Sequence, residues 1–186
     1  MNRLLRTLLA AFLVALVPAG ASAERADPQD FYQVVAFGDF QGNLQQALDN
    51  GKKGILVYFH QDQCPFCHKM EQEVFTRPIV QDFFHKYFDV YKVNIKGNKD
   101  FVDVDGDSVS QVQFAVQNRA RATPTLIIFG PGGKELVRFV TNPTVDEMLA
   151  FGKYVVDGTY KQGTDFFNYK KTATDGIEQE IRKDYL

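Results

Sequence analysis

Two rhythms of apolar residues run along the chain. Ile55-Leu56-Val57-Tyr58-Phe59, closed by His60, and Thr125 to Phe129 are short β-branched and aromatic runs that read as buried strands. Val90 to Ile95 alternates apolar with polar residues, as a strand with one covered face does. Elsewhere the apolar residues recur every three or four positions. Leu44, Ala47 and Leu48 predict a helix over 43–50 that stops at Gly51, and Lys69 to Val74 is helix-compatible. Thr76-Arg77-Pro78 resembles a helix start, followed by a wide apolar face of Ile79, Val80, Phe83, Phe84, Tyr87 and Phe88. Ser110 can cap a short helix to about Asn118, and Thr144-Val145-Asp146-Glu147 is a capping box that opens a helix through about Val156. Asp105-Gly106 between alternating valines predicts a small hairpin over Phe101 to Val109, and Pro131-Gly132-Gly133 turns the 125–129 strand back into Glu135 to Val140. Phe31 to Phe40 has no clear rhythm. Residues 158–186 are polar, with a candidate terminal helix from Gly176 and no role legible in the sequence.

The first 23 residues stand apart from this pattern. Arg3 and Arg6 precede the apolar stretch Leu8 to Val17, then come the helix-breaking Pro18-Ala19-Gly20 and the small residues Ala21-Ser22-Ala23. This is the pattern of a secretory signal cleaved after Ala23. The apolar stretch is shorter than the roughly 20 residues that span a bilayer, and no cysteine follows the cleavage site to accept a lipid. The expectation is an exported, soluble chain in the periplasm. The leader holds two of the 21 basic residues and none of the 23 acidic ones, so the remainder carries 19 against 23, a net charge of −4. No basic patch points to nucleic acid. The remaining residues can bury one ordinary core, which predicts a single domain over 24–157 followed by a C-terminal extension over 158–186.

The candidate chemistry lies in Cys64-Pro65-Phe66-Cys67, which holds both cysteines of the chain. Following a strand and opening a helix, Cys64 sits where free backbone N–H groups and the positive end of the helix dipole favour a thiolate, below the thiol's ordinary pKa of about 8.5. Pro65 suits a first helical turn, because its missing N–H costs little there. Cys64 is the expected nucleophile and Cys67, one turn on, the resolving thiol. As a mere staple the pair would close too small a loop to stabilise much.

Three elements together resemble the thioredoxin fold over roughly residues 38–157: the strand followed by Cys64-Pro65-Phe66-Cys67, the strand Tyr91-Lys92-Val93-Asn94-Ile95, and Thr123-Pro124-Thr125 leading into Leu126 to Phe129. The combination with an inserted hairpin is most similar to periplasmic thioredoxins of the SoxW type. Cys67-His68-Lys69-Met70 also resembles the catalytic domain of DsbC and DsbG, whose separate dimerisation domain this chain lacks, so a monomer is expected. The resemblance implies an α/β fold, a central mixed sheet flanked by helices with a small inserted hairpin. It implies a thiol-disulfide oxidoreductase that reduces or exchanges disulfides of exported proteins, with an oxidase or isomerase of DsbA or DsbC type as the alternative. A membrane thiol-disulfide donor or acceptor would be the electron partner, without a cofactor. An X-Pro bond at a strand entry is ordinarily trans; the resemblance implies a cis Pro124 against the cysteine pair, with the Thr123 backbone pairing to substrate. Pro65, Phe66 and His68 would support the site. One departure matters: thioredoxins usually carry a buried acid six residues before the first cysteine, and here Tyr58 stands there, a poor proton acceptor at neutral pH. Lys92, His60 or a water are the candidate substitutes. Phe66 also removes any cation from between the cysteines.

The same residues also fit rival chemistry. Cys64-Pro65-Phe66-Cys67-His68 fits the attachment signature of c-type haem, with His68 on one axial side and Met148 or His85 on the other. The flanking strands and Thr123-Pro124-Thr125 argue against it. Two cysteines and three histidines make a weak zinc set. Asp103-Val104-Asp105-Gly106-Asp107 suggests calcium at first sight, but its glycine is misplaced and Phe114 stands where a loop-closing Glu belongs, so a hairpin turn is the better reading and no metal is expected. A thioredoxin-like binding module without activity is disfavoured by the intact cysteine pair.

Overall fold

The computed structural model describes residues 25–32 and 38–186. The expected leader over 1–23 and residues 33–37 of the arrhythmic stretch lie outside the described residues. A 3-10 turn at Pro28–Phe31 comes first, then α1 (Phe40–Asp49), β1 (Gly54–His60), α2 (Pro65–Glu73), α3 (Pro78–Tyr87), β2 (Phe88–Asn94), the short strands β3 (Asp100–Val102) and β4 (Ser108–Ser110), α4 (Gln111–Gln117), β5 (Thr125–Phe129), β6 (Glu135–Val140) and α5 (Val145–Val156). The extension adds a 3-10 turn at Thr159–Gln162, α6 (Phe166–Ala173) and α7 (Ile177–Asp184).

β1 is apolar up to His60 because it lies in the middle of the sheet, whose order is β2-β1-β5-β6. It pairs parallel with β2, Val57 opposite Tyr91, and antiparallel with β5, Val57 opposite Ile127, while β6 runs antiparallel to β5 at the edge. Side chains alternate across a pleated strand, so each face gathers its own core. Leu56, Tyr58, Val90, Leu126 and Ile128 pack with α2, α3, α5 and α7; Ile55, Val57, Phe59, Val93, Ile127 and Phe129 pack with α1, α4 and the β3–β4 hairpin. The expected α/β fold, a mixed sheet flanked by helices with an inserted hairpin, is the one observed.

Local differences from the sequence reading have local causes. α1 begins at Phe40 rather than Asn43, because the Asp39 carboxylate accepts the Gly42 N–H at 2.9 Å and so caps the helix one turn earlier. The hairpin is closed by a longer loop, not by Asp105-Gly106 alone. Buried Asp103 accepts the N–H groups of Asp105 (2.9 Å) and Asp107 (3.1 Å) through Oδ1 and the Gln117 side chain through Oδ2 (3.3 Å). Its lone pairs therefore go to the turn itself. Ser110 caps α4 as read, with Gln113 completing a capping box, and the Thr144–Glu147 capping box forms as read.

The extension joins the core. Ile177 and Ile181 are fully buried in the same cluster as Phe83, Met148 and Phe151. Phe166 of α6 packs edge-on against Phe139, Phe151 and Tyr154. Polar links reinforce the seat: Lys153 pairs with Asp157 at 2.6 Å and Glu180 at 3.2 Å, and the Tyr185 carbonyl accepts Lys86 Nζ and Tyr87 Oη. No helix among the described residues is long and apolar enough to cross a membrane.

Candidate active site

β1, buried from Gly54 through Phe59, ends at the partly buried His60, and the chain re-enters regular structure only at Pro65, leaving Cys64 as the N-cap of α2 with extended backbone. Its Sγ takes the capping role that a serine oxygen usually fills, accepting the Cys67 N–H at 3.1 Å. The two cysteines are joined in a disulfide. Thr123 Oγ1 donates to Cys64 Sγ at 3.3 Å, and the Thr123 carbonyl oxygen lies 3.5 Å from the same sulfur. Cys64 and Cys67 are both buried. Pro65 occupies the first helical position, and Phe66 stands 63% exposed beside the pair as an apolar contact surface.

The Thr123-Pro124 peptide is cis. Pro124 is buried, and its carbonyl accepts the N–H of Thr141, a threonine held at φ 108° just past β6. The loops after β1 and before β5 and the end of β6 therefore meet around Cys64. Just before Cys64 in the chain, Gln61, Asp62 and Gln63 line, with Asn94 and Lys96, an open polar recess of about 250 Å³.

Behind the pair lies a cluster that the sequence reading missed. Glu71, one helical turn beyond Cys67 on α2, is largely buried, and three side chains donate to its Oε1: Lys92 Nζ at 2.8 Å, Tyr32 Oη at 3.2 Å and Tyr58 Oη at 3.5 Å. The acid absent from the strand thus comes from the helix. Tyr58 serves it as a donor, and Lys92, read as a substitute for the acid, is its counter-ion. Lys92 Nζ also lies 5.0 Å over the Tyr32 ring. Burial and then the adjacent Glu71 charge hold the hydroxyls of Tyr32 and Tyr58 protonated well above the ordinary tyrosine range. His60 is driven the opposite way, to about 4, by burial first and Lys92 second, against the weaker pull of Glu71 and Asp62. It is a neutral imidazole at pH 7. The signal for Glu71 was its phase, four residues after Cys67 and so on the same helix face.

His68 is 59% exposed, with Nε2 3.0 Å from the Asp62 carbonyl oxygen and Nδ1 3.8 Å from Glu71 Oε2. The residues read as haem ligands are engaged elsewhere: Met148 is buried in the α5 core, and His85 Nε2 lies 3.3 Å from the Phe31 carbonyl. A mixed sheet stands where the haem reading expects a mainly helical chain. Among the described residues no three His, Cys, Asp or Glu side chains group as a metal site.

A family described as the thioredoxin-like domain matches residues 40–155, from α1 to the end of α5. No curated protein matches the chain. A solved thioredoxin-fold protein from Helicobacter pylori aligns with a TM-score of 0.65 at 17% identity, covering 85% of this chain and 98% of that one. A proposed disulphide-isomerase from Bacteroides thetaiotaomicron aligns at 0.50 with 22% identity, covering 68% of this chain and 97% of that one. At these identities the two likenesses concern the fold. A Cys-x-x-Cys pair at the head of α2 on this fold supports oxidoreductase activity in general. The match spans well over half of the sequence and contains both cysteines and Pro124, and the chain belongs to the thioredoxin-like domain family.

Proposed function

We propose that the chain is an exported thiol-disulfide oxidoreductase that chiefly reduces disulfides in other exported proteins. The observation that carries this reading is the seat of Cys64, whose sulfur caps α2 and accepts from both the Cys67 N–H and Thr123 Oγ1. Those donors and the helix dipole favour the thiolate over the thiol, which is what an attacking sulfur needs. In the reduced protein Cys64 attacks one sulfur of a substrate disulfide and forms a mixed disulfide. Cys67 then attacks Cys64, closes the pair and frees the substrate thiol. The Thr123 backbone is the proposed partner for an extended substrate segment, with Phe66 covering its apolar side chains.

Direction and setting follow from weaker signals. Phe66 puts no cation between the cysteines, so the thiolate gains less than it would beside a basic residue, and this favours a reducing role. The SoxW-type resemblance points the same way, with a membrane thiol donor recharging a periplasmic monomer. Reduction of insulin by dithiothreitol is the test: the protein should accelerate it, and Cys64→Ser should abolish the effect. Wild-type turnover in Cys64→Ser would sink the assignment. A reduction potential at or below about −200 mV supports the reducing direction, whereas one near about −120 mV would make the protein an oxidase.

A further inference from the structure

An open groove of about 440 Å³ runs between β6 and α6. Val140, 48% exposed at the end of the strand, lines it from one side and Phe167, 64% exposed on the helix, from the other. The charged side chains of the groove already have partners. Arg138 is held by Glu135, Lys170 Nζ by Glu147 at 2.6 Å, and the Asp165 carboxylate accepts the Asn168 N–H at 3.0 Å as the cap of α6. What the groove offers a partner is therefore apolar surface, which selects an apolar side chain rather than an ion. One wall belongs to the extension, since α6 lies beyond the residues 40–155 that match the thioredoxin-like domain.

The groove is continuous with the cysteine site. Thr141 lines it and donates its N–H to the Pro124 carbonyl at 3.1 Å, and the neighbouring Thr123 donates Oγ1 to Cys64 Sγ at 3.3 Å. From Thr141 to Thr123 the Cα path crosses one antiparallel pair and one peptide unit, about 10 Å. An extended chain covers that length in about three residues. We propose that the groove between β6 and α6 takes an aliphatic or aromatic side chain of the polypeptide being reduced, about three to four residues from its reacting cysteine, and that Phe167 selects for it. The proposal rests on the oxidoreductase reading and concerns which substrates Cys64 meets. The exchange at the sulfurs is untouched. A side chain seated in the groove contributes equally before and during sulfur attack, so it lowers KM and leaves kcat as it was.

The test uses reduced protein carrying Cys67→Ser and a series of serine-rich peptides, each with one cysteine joined by a disulfide to thionitrobenzoate. Attack of Cys64 on the peptide sulfur releases thionitrobenzoate and leaves the peptide on the protein. A single leucine is placed one to six residues from the cysteine, on either side. Leucine three or four residues away should lower the half-saturating peptide concentration roughly tenfold relative to serine, the effect of half-burying one such side chain. Leucine at other spacings should not. Phe167→Ala should remove the advantage and Phe167→Leu should keep most of it. Val140→Ser should weaken it from the strand side, and decides the matter if Phe167→Ala disturbs α6. A leucine effect that is absent, equal at every spacing, or indifferent to both Phe167→Ala and Val140→Ser would overturn the proposal. A protein that sediments as a dimer and becomes a monomer in Phe167→Ala would overturn it too, because the groove would then hold a second copy of the chain. Failure of the oxidoreductase reading is a separate result, wild-type protein that does not accelerate insulin reduction.

Discussion

His60 shows how one buried ring makes stability depend on pH. Unfolded, it takes a proton near about 6.5; folded, only near about 4, because burial and then Lys92 oppose the charge. Between these values the unfolded chain binds more protons, so stability falls as the pH drops from about 6.5 toward 4. The partly open site screens the effect to about 1 kcal/mol. Denaturant midpoints at pH 7 and pH 4.5 should differ less in His60→Gln than in wild type, and an equal loss in both would refute this origin. Thr141 illustrates a second residue-scale cost. At φ 108° its branched Cβ is strained where glycine is at ease, while its N–H holds the Pro124 carbonyl. Thr141→Gly should raise the unfolding free energy by about 1 kcal/mol, whereas Thr141→Ala, which keeps a Cβ, should recover little of it.

At the scale of elements, α3 and α5 meet where Gly152 has no side chain. A Cβ there would come within 2.5 Å of Phe83 Cε1 and 2.9 Å of Phe84 Cζ. Gly152→Ala should therefore force the helices apart and cost about 1–3 kcal/mol in urea unfolding, against the gain in helix propensity that an open position would show. The strands, the Ser110 cap, the Thr144–Glu147 capping box and the cysteine-bearing helix were legible in the sequence because each is decided by residues within one or two turns of one another. Ser110 and Gln113 satisfy each other three positions apart. The surroundings of Glu71 were not legible, since Tyr32 and Lys92 reach it from 39 and 21 residues away and only the closed sheet brings them together. α6 escaped notice for a related reason. Its sequence is mostly polar, and Phe166 finds its aromatic partners only on β6 and α5.

For the whole molecule, the extension decides whether the outer surface of α3 and α5 stays covered. Ile177 and Ile181 have no exposed surface, so Ile177→Ala and Ile181→Ala should each cost about 2–4 kcal/mol. A chain ended at Asp157 would bare the α3 and α5 surface they cover. It should unfold at markedly lower denaturant than the full chain, and an unchanged midpoint would show the seat to be energetically idle. The disulfide pair should remain closable in that shortened chain if it folds, because the groups that hold Glu71 of α2, namely Tyr32, Tyr58 and Lys92, all lie outside the extension.

Phe31 near one end of the chain and Ile181 near the other share a single core cluster. A polypeptide that emerges N-terminus first, from a ribosome or through a membrane pore, cannot complete that cluster until Ile181 is out. Until then that cluster lacks its last members, so its completion waits on Ile181 rather than on a separate signal. Nascent chains stalled with residue 170 at the exit should be cut readily by protease, and resistance should appear only once residue 181 has cleared it.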